Sequence, residues 1–181
     1  MNFCSKCGSS LAQDKSPQAC SSCDTVFYEN PTPVGVAVIP VTENGEVVGV
    51  LGVRRGMNSE NGANRLALPG GFADIGETAE VCAARELLEE TSLVRDSSQG
   101  RVLHTGISSN KRQMLLFVEF PSMDIEEVKN IRPSAGFEGE VLDGCVLSRD
   151  NVQEVVFSTH AEVVELYSPS GRKPAVSGMG R

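Results

Sequence analysis

After residue 33, short apolar runs separated by polar turns dominate the chain, and this pattern predicts strands. The first two runs, 34–41 and 47–54, flank the segment Glu43-Asn44-Gly45-Glu46. Asn-Gly between two apolar runs is the strongest short signal for a two-residue hairpin turn. Three later segments of the same character predict further strands, namely 101–107, 113–120 and 140–148.

Two other segments have helical signatures. Thr78 is the expected N-cap of a helix that ends near residue 91, in which Val81, Ala84 and Leu88 recur at i, i+3 and i+7. We expect these three side chains to be buried, on the face opposite the acids of the same helix. A second helix is predicted over 159–167 with Thr159 as its cap, and the polar segment 124–130 fits either a short helix or a loop.

The first of these helices concentrates acids in a way that predicts a metal site. Glu86, Glu89 and Glu90 stand at i, i+3 and i+4, so their carboxylates share one helix face. Each like-charge pair at this spacing costs about 0.2–0.5 kcal/mol in an isolated helix. A hard divalent cation removes that cost, and Mg²⁺ in proteins is held by a few carboxylates and by substrate phosphates. A solvated acidic face is the alternative, but it leaves the register of the neighbouring glycines and Arg85 unexplained.

The acids belong to a longer pattern that resembles a known family. From Gly71 to Leu93 the chain reads G-x5-E-x7-R-E-L-x-E-E-x-S-L, which closely resembles the Nudix box. One position departs from it, because Ser92 stands where the family usually has glycine. The resemblance covers roughly residues 33–167 and implies an α/β fold, an α/β/α sandwich around a mixed sheet. It also implies hydrolysis of a nucleoside diphosphate linked to another group.

The resemblance assigns roles to the acids of the box and to its arginine. Glu86, Glu89 and Glu90 are expected to hold catalytic Mg²⁺ or Mn²⁺, with Glu86 either a ligand or the group that handles the attacking water. Arg85 is expected to pair with a glutamate of the box, because its planar fork suits a carboxylate. Glu77 is expected to support the same cluster.

Other site residues are expected outside the acidic turn. The resemblance implies that Gly71 offers a backbone carbonyl and that a glutamate from a later loop joins as metal ligand or base. Glu138 is our first candidate for that glutamate and Glu140 the second, although either fits an exposed loop acid equally well. Arg54 and Arg55, at the end of a predicted strand, suit phosphate binding or a solvated surface. Specificity is expected in loops 56–65 and 104–114, which carry no readable motif.

Four of the six cysteines form two pairs with metal-ligand spacing. Cys4 and Cys7 make one C-x2-C pair, and Cys20 and Cys23 make the other. This spacing favours a tetrahedral, structural Zn²⁺, while two disulfides or a redox pair are the alternatives. The remaining cysteines, Cys82 and Cys145, are expected to be small core residues.

The position of the cysteine pairs refines the family resemblance. A Cys4 ribbon followed by an aromatic-Asn-Pro segment, here Phe27-Tyr28-Glu29-Asn30-Pro31, looks like the ADP-ribose and NADH pyrophosphatase branch. The Ser-Gln-Pro stretch of dedicated NADH pyrophosphatases is absent after the box, so strict NADH specificity is not implied. We expect a zinc ribbon over 1–30, a Nudix domain over 31–167 and a flexible tail over 168–181.

The composition of the chain indicates which binding partners it favours. The chain has 181 residues and a formal net charge of −8, which disfavours nucleic acid as a partner and points to a small nucleotide substrate. Removal of an NAD cap from RNA is therefore a weaker alternative. A second alternative is a regulatory domain that binds a nucleotide without hydrolysing it. We expect no membrane span and a cytoplasmic location, and a homodimer contact through the ribbon stays open.

Overall fold

The chain divides into two units, Met1–Pro31 and Thr32–Arg181, each held mainly by its own internal contacts. The structure is a computed structural model and describes residues 2–11 and 16–167. The predicted tail, residues 168–181, lies outside the described residues. Within them, no helix is long and apolar enough to cross a membrane.

The first unit consists of two small strand pairs. Strand β1 (Asn2–Phe3) pairs with β2 (Ser10–Leu11), and β3 (Gln18–Ala19) pairs with β4 (Val26–Phe27), both antiparallel. Each pair encloses a tight turn that begins at a cysteine, where the N–H of Gly8 bonds the carbonyl of Cys4 and the N–H of Asp24 bonds that of Cys20. The turns therefore hold the cysteine pairs in matching local geometry.

The second unit contains two mixed sheets flanked by helices. Its described strands are β5 Thr32–Val38, β6 Pro40–Glu43, β7 Glu46–Arg55, β8 Leu66–Ala67, β9 Gly70–Phe72, β10 Arg101–Ile107, β11 Gln113–Glu119, β12 Met123–Asp124 and β13 Val141–Leu147. Its helices are α1 Ala79–Thr91, α2 Ile125–Val128 and α3 Ser158–Leu166, with 3-10 turns at Ser97–Gln99 and Val152–Glu154. One sheet has the order β10-β11-β5-β9, and the other has β12-β6-β7-β13 with β8 beside β7.

The predicted strand 34–41 is two strands, and the chain changes sheets between them. The carbonyl of Val38 accepts the N–H of Phe120 in one sheet, whereas the carbonyl of Ile39 accepts the N–H of Leu51 in the other. Pro40 follows without an N–H of its own, which suits the break in the first ladder. The predicted hairpin is confirmed, because Asn44 and Gly45 both have positive φ, 52° and 83°.

Alternate residues from Val36 to Ile39, at the end of β5 and just after it, face two different cores. Val36 and Val38 pack in the cluster that includes Val163 and Val164 of α3. Ala37 and Ile39 pack in the cluster that includes Leu87 of α1. The long helices thus cover opposite sides of the sheets, and the expected α/β/α sandwich is confirmed.

The predicted buried face of α1 is wrong. Val81 and Leu88 are 41% and 40% exposed, whereas Cys82, Ala83 and Leu87 are buried. The reason is a close approach to Gly35 of β5, where an added Cβ would lie 2.7 Å from the Cys82 sulfur. The helix therefore turns its small residues to the sheet, and this rotation carries part of the acidic face to the edge of the core.

The predictions for the two shorter helices and for the two remaining cysteines were partly confirmed. Segment 124–130 forms the short helix α2, with Asp124 as its cap. Helix α3 begins one residue earlier than predicted, after Phe157, whose side chain makes no capping bond. Cys82 is fully buried as expected, while Cys145 is half-buried beside the core.

Candidate active site

The ends of α1 fix the register of its acids. The Thr78 hydroxyl accepts the N–H of Val81 at 3.4 Å, so the predicted cap is confirmed. At the other end, Ser92 adopts the left-handed conformation with φ 59° and donates its N–H to the carbonyl of Leu88. Between these ends, the helix passes beside β9, so that Glu86 and Glu90 lie against the backbone of Gly70 and Gly71.

Gly71 is required for the approach of Glu86. A Cβ at this position would lie 2.4 Å from the carboxyl carbon of Glu86, so any side chain here would displace the Glu86 carboxylate. The Gly71 carbonyl accepts the thiol of Cys82 at 3.5 Å. The glycine turn therefore brings a backbone carbonyl and a carboxylate together beside the helix.

Arg85 gathers the acids of the turn and of the helix. Its Nε and Nη2 donate to the two oxygens of Glu77 at 2.8 and 3.0 Å. Its Nη1 donates to Glu86 at 2.8 Å and to Glu89 at 3.1 Å. Nη2 also donates to the carbonyl of Phe72 at 2.9 Å. Arg85 thus ties the start of the turn to the acidic face of the helix.

The arginine sets the charge state of Glu77. Its hydrogen bonds, with help from the N–H of Asp74, lower the pKa of Glu77 to about 2. The same contacts raise the pKa of Arg85 above its ordinary value. Both groups are therefore charged near neutral pH and form a permanent ion pair.

Glu90 is in a different environment from Glu77. It is only 8% exposed, and one carboxylate oxygen accepts the N–H of Gly70 at 3.1 Å. Burial, and next the charge of Glu86, raise the pKa of Glu90 to about 8. Burial also raises the pKa of Glu86. Of the three acids on this helix face, Glu90 is therefore buried rather than solvated.

A cavity of about 620 Å³ opens over these acids. Its wall includes Glu86 and Glu90 of α1, Gly70 and Gly71 of β9, and Glu140. Glu89 does not line it and instead pairs with Arg85. Among the described residues, only the four ribbon cysteines place three or more candidate metal ligands within 4.8 Å of one another. The carboxylates of α1 are more widely spread, since Arg85 holds Glu86 and Glu89.

The structure separates the two candidate loop acids. Both acids are exposed, but the Glu138 carboxylate accepts the N–H of Gly136 in its own loop at 2.9 Å. Glu140 lines the acidic cavity, where its charge raises the pKa of both Glu86 and Glu90. Its carbonyl accepts the N–H of Gly56 at 2.7 Å, which anchors the loop to the end of β7. The geometry favours Glu140, the second of our two candidates.

A second cavity, of about 700 Å³, adjoins the first. The two share Arg55, Gly70, Gly71 and Phe72. The expected specificity loops both contribute to the second cavity, through residues such as Asn61 and Asn110. It also includes residues 156–160 at the start of α3, to which sequence analysis assigned no role. No sequence pattern linked these residues to the site, because they are far from the box along the chain.

The two strand-end arginines differ in their surroundings. Arg54 lies 3.8 Å from the carboxylate of Asp143, so it has a structural partner. Arg55 lines both cavities, donates from Nε to the carbonyl of Asn61 and lies 5.4 Å from the ring centre of Phe157. Of the two, Arg55 is therefore the one placed to meet an anionic ligand.

The ribbon cysteines form a compact sulfur cluster. The sulfurs of Cys4 and Cys23 lie 3.6 Å apart, as do those of Cys7 and Cys20. A tetrahedral site with Zn–S bonds of about 2.3 Å requires sulfurs roughly 3.8 Å apart. All four are free thiols rather than disulfides. Hydrogen bonds with Ser9 lower the pKa of Cys7 to about 6, which favours its thiolate, whereas burial raises the pKa of Cys4 to about 11.

Comparison with solved structures shows the fold of the larger unit. A NUDIX hydrolase from Nitrosomonas europaea is 23% identical over 90% of this chain and 87% of that chain, with a TM-score of 0.59. The NUDIX domain of Shewanella oneidensis NrtR, complexed with ADP ribose, is 21% identical over 76% and 86%, with a TM-score of 0.58. A bifunctional NMN adenylyltransferase/ADP ribose pyrophosphatase from Francisella tularensis is 19% identical over 77% and 41%, also at 0.58.

The family itself is shown by the sequence match. The NUDIX domain family matches residues 31–167, most of the chain and all of the elements that build the two cavities. The box acids, the glycine turn and the two-faced sandwich all lie within that span. The chain therefore belongs to the NUDIX domain family.

Proposed function

We propose that this protein hydrolyses the pyrophosphate bond of a nucleoside diphosphate linked to another group, with ADP-ribose or a related dinucleotide as substrate. The observation that carries the proposal is the joining of an acidic cavity to a larger cleft through Arg55 and the Gly70–Phe72 strand. A pyrophosphate at this junction would lie beside the acids while a nucleoside or sugar occupies the cleft. One substrate would thus span both cavities.

The acidic cavity fits catalytic Mg²⁺ or Mn²⁺. Glu86, Glu90 and Glu140 line it and offer oxygen ligands, and the pKa values of Glu86 and Glu90 are raised first by burial and then by neighbouring carboxylates. Oxygen ligands are those that Mg²⁺ prefers. A bound divalent cation supplies charge neutralisation at the phosphates and lowers the pKa of bound water. Glu89 would have to leave Arg85 to join this set.

The chain's own residues have distinct tasks in the proposed reaction. Arg85 holds Glu86 in place through Nη1 and keeps Glu77 ionised, so it acts as a positioning residue. Arg55 is placed to bind a phosphate oxygen at the junction of the cavities. Glu86 is the group we assign either to metal binding or to the attacking water, because it is the acid closest to the Gly71 turn.

The substrate class is supported by two of the similar structures. One is a domain complexed with ADP ribose, and another is part of a bifunctional protein that includes an ADP ribose pyrophosphatase. Because they are only 21% and 19% identical to this chain, they support a class of substrate, ADP-ribose and related dinucleotides, and not one compound. The cleft is also large enough for such a group, at about 700 Å³.

The ribbon is proposed to hold structural Zn²⁺. Its four sulfurs have the number, spacing and free state that a closed tetrahedral site needs. A unit of this size has too small a core to fold without a metal or a disulfide. Free thiols also fit a reducing compartment, which supports a cytoplasmic location.

A substrate panel tests the proposed function. The purified protein is incubated with Mg²⁺ or Mn²⁺ and ADP-ribose, NADH, NAD, FAD, diadenosine polyphosphates or dNTPs. Phosphate release is coupled to a phosphatase, which acts on AMP and ribose 5-phosphate but not on intact ADP-ribose. We expect turnover of ADP-ribose or of a dinucleotide. Binding of ADP-ribose with no turnover of any member would replace the enzyme by a nucleotide-binding regulatory domain.

A further inference from the structure

His160 lines the second cavity although its side chain is largely buried. It lies in the first turn of α3 and is 6% exposed. Phe117 meets its ring nearly edge-on with ring centres 5.6 Å apart, and Phe157 lies against it at 5.0 Å. These contacts hold the imidazole in one orientation.

A backbone hydrogen bond fixes the tautomer of His160. The N–H of Leu68 donates to Nδ1 at 3.1 Å, so the proton of the neutral ring is on Nε2. Burial, and next the charge of Arg55, lower the pKa of His160 to about 3. The ring is therefore neutral at physiological pH. Its Nδ1 accepts a main-chain hydrogen bond, and its Nε2–H is a donor.

The remaining N–H of the ring has no protein acceptor among the described residues. In the part of the chain that the structure describes, no buried side-chain nitrogen or oxygen lacks a hydrogen-bond partner. Because Nε2 has no acceptor in that part, it is not one of the fully buried atoms, and His160 lines the second cavity.

The surrounding wall is rich in donors. Ser158 and Thr159 line the cavity at the first turn of α3, where backbone N–H groups have no earlier helical carbonyl to bond. Asn110 lies on the same cavity wall from the 104–114 loop. Glu60 adds a negative charge, which disfavours a further phosphate there. The wall thus suits an uncharged group with oxygen or nitrogen acceptors.

We infer that His160 is a specificity-determining residue, which donates a hydrogen bond from Nε2 to an uncharged acceptor on the nucleoside or sugar part of the substrate. This inference rests on the proposed function, since it places that part of the substrate in the second cavity. A base nitrogen or carbonyl and a ribose hydroxyl are both acceptors of this kind. A site that loses such a bond also loses its discrimination between ligands.

Two substitutions separate the donor from the structural role of His160. His160→Asn keeps an oxygen near the Nδ1 position to accept the N–H of Leu68 but cannot reach the cavity. His160→Gln places an amide N–H near the position of Nε2. Calorimetry with ADP-ribose in the absence of divalent metal should show a roughly three- to tenfold weaker affinity for His160→Asn. We expect His160→Gln to stay within about twofold of the wild type.

The two halves of ADP-ribose identify the acceptor. AMP and ribose 5-phosphate are titrated separately, and the half whose affinity falls in His160→Asn is the one that bears the acceptor. Inorganic pyrophosphate, which has neither base nor sugar, should bind both proteins equally. In turnover assays of an active enzyme, the same variant should raise KM and leave kcat within about twofold.

Several results would overturn this inference. They are equal affinity of wild type and His160→Asn for ADP-ribose and both halves, an equal loss for pyrophosphate, and a wild type that binds none of these ligands. Because binding is measured without metal, it is independent of hydrolysis. An inactive protein whose ADP-ribose affinity still depends on His160 would reject the proposed reaction and support the inference.

Discussion

The hydroxyl of Ser92 lies 3.3 Å from the hydroxyl of Ser134, and this contact joins the end of α1 to the loop that leads to Glu140. Ser134 also donates its hydroxyl to the carbonyl of Leu88 at 2.6 Å and its N–H to the carbonyl of Glu89 at 2.8 Å. The residue that departs from the Nudix box therefore takes part in a junction between the acidic helix and its neighbouring loop.

Ser92→Gly should be tolerated. A left-handed serine costs about 1–2 kcal/mol relative to a residue without Cβ, and one neutral hydrogen bond contributes about 0.5–1.5 kcal/mol. Loss of the strain and loss of the contact nearly cancel, so we expect unfolding free energy within about 1 kcal/mol of the wild type and activity equal or higher. Urea unfolding and the substrate panel measure both.

Ser134→Ala is the matched comparison. It removes the bond to the Leu88 carbonyl as well as the contact with Ser92, so it should be the more damaging of the two changes. A large loss of both stability and activity in Ser92→Gly would instead show that the serine hydroxyl is essential.

The sulfur cluster should bind one Zn²⁺ per chain. Native mass spectrometry of the wild type should show this mass increment, and Cys20→Ser should lose it together with the ordered ribbon, because structural zinc and folding are coupled. Cys145→Ser is the control, since Cys145 lies in β13 and should retain the metal. A folded ribbon with four free thiols and no zinc would contradict the assignment.

Glu77→Gln should destabilise the fold in a pH-dependent way. The pKa of Glu77 is about 2 in the folded protein against an ordinary 4.5, so the folded state binds fewer protons between these values. Its contribution is therefore complete above about pH 4.5 and is lost as pH falls through about 2. We expect a cost of about 1–2 kcal/mol at pH 7 and a smaller one at pH 3.

Urea unfolding at pH 7 and pH 3 measures this difference between Glu77→Gln and the wild type. Glu126→Gln is the control, because its ion pair with Lys129 is exposed and should contribute nothing measurable. A cost for Glu77→Gln that is the same at both pH values would show that its bonds with Arg85 do not depend on charge.

Local patterns predicted most of the fold. The hairpin at Asn44-Gly45 and the cap at Thr78 each depend on a few adjacent residues, so the sequence was sufficient to place them. Which face of α1 is buried does not depend on adjacent residues. It is set by Gly35, 47 positions before Cys82, which permits a close approach that helical periodicity cannot reveal.

The sequence likewise predicted only part of the candidate site. The box pattern located the acids, since they lie within one turn of a single helix. It could not choose between Glu138 and Glu140, because the path of that loop is set by the bond from Gly56 to Glu140. His160 had no readable signal, because its backbone partner Leu68 is 92 residues away.

Glu140→Gln should slow hydrolysis, whereas Glu138→Gln should not. Glu140 lines the acidic cavity, and Glu138 is bound within its own loop. Loss of one charge near the reacting phosphates typically costs tenfold or more in rate, about 1.4 kcal/mol or above. The pair forms a matched test, since both changes remove one carboxylate from the same loop. A slower Glu138→Gln beside an unaffected Glu140→Gln would restore the first candidate.

Glu90→Gln should separate catalysis from stability. The amide keeps an oxygen to accept the N–H of Gly70, so the shape and the 3.1 Å contact are retained. Burial raises the pKa of Glu90 to about 8, so its carboxyl is largely protonated near pH 7 when no metal is bound. Without metal, the melting temperature at pH 7 should therefore be unchanged or slightly raised. With Mg²⁺, the added stabilisation should be smaller than in the wild type.

The turnover rate of Glu90→Gln should fall. Removal of a charge that holds the catalytic metal should cost at least ~3 kcal/mol in transition-state stabilisation, or about a hundredfold in turnover. Glu80→Gln is the control, because Glu80 lies in the first turn of the same helix and does not line the cavity. It should keep full activity and melt no higher than the wild type, since it loses a favourable charge at the helix N-terminus. Full turnover of every panel substrate by Glu90→Gln would remove Glu90 from the metal site.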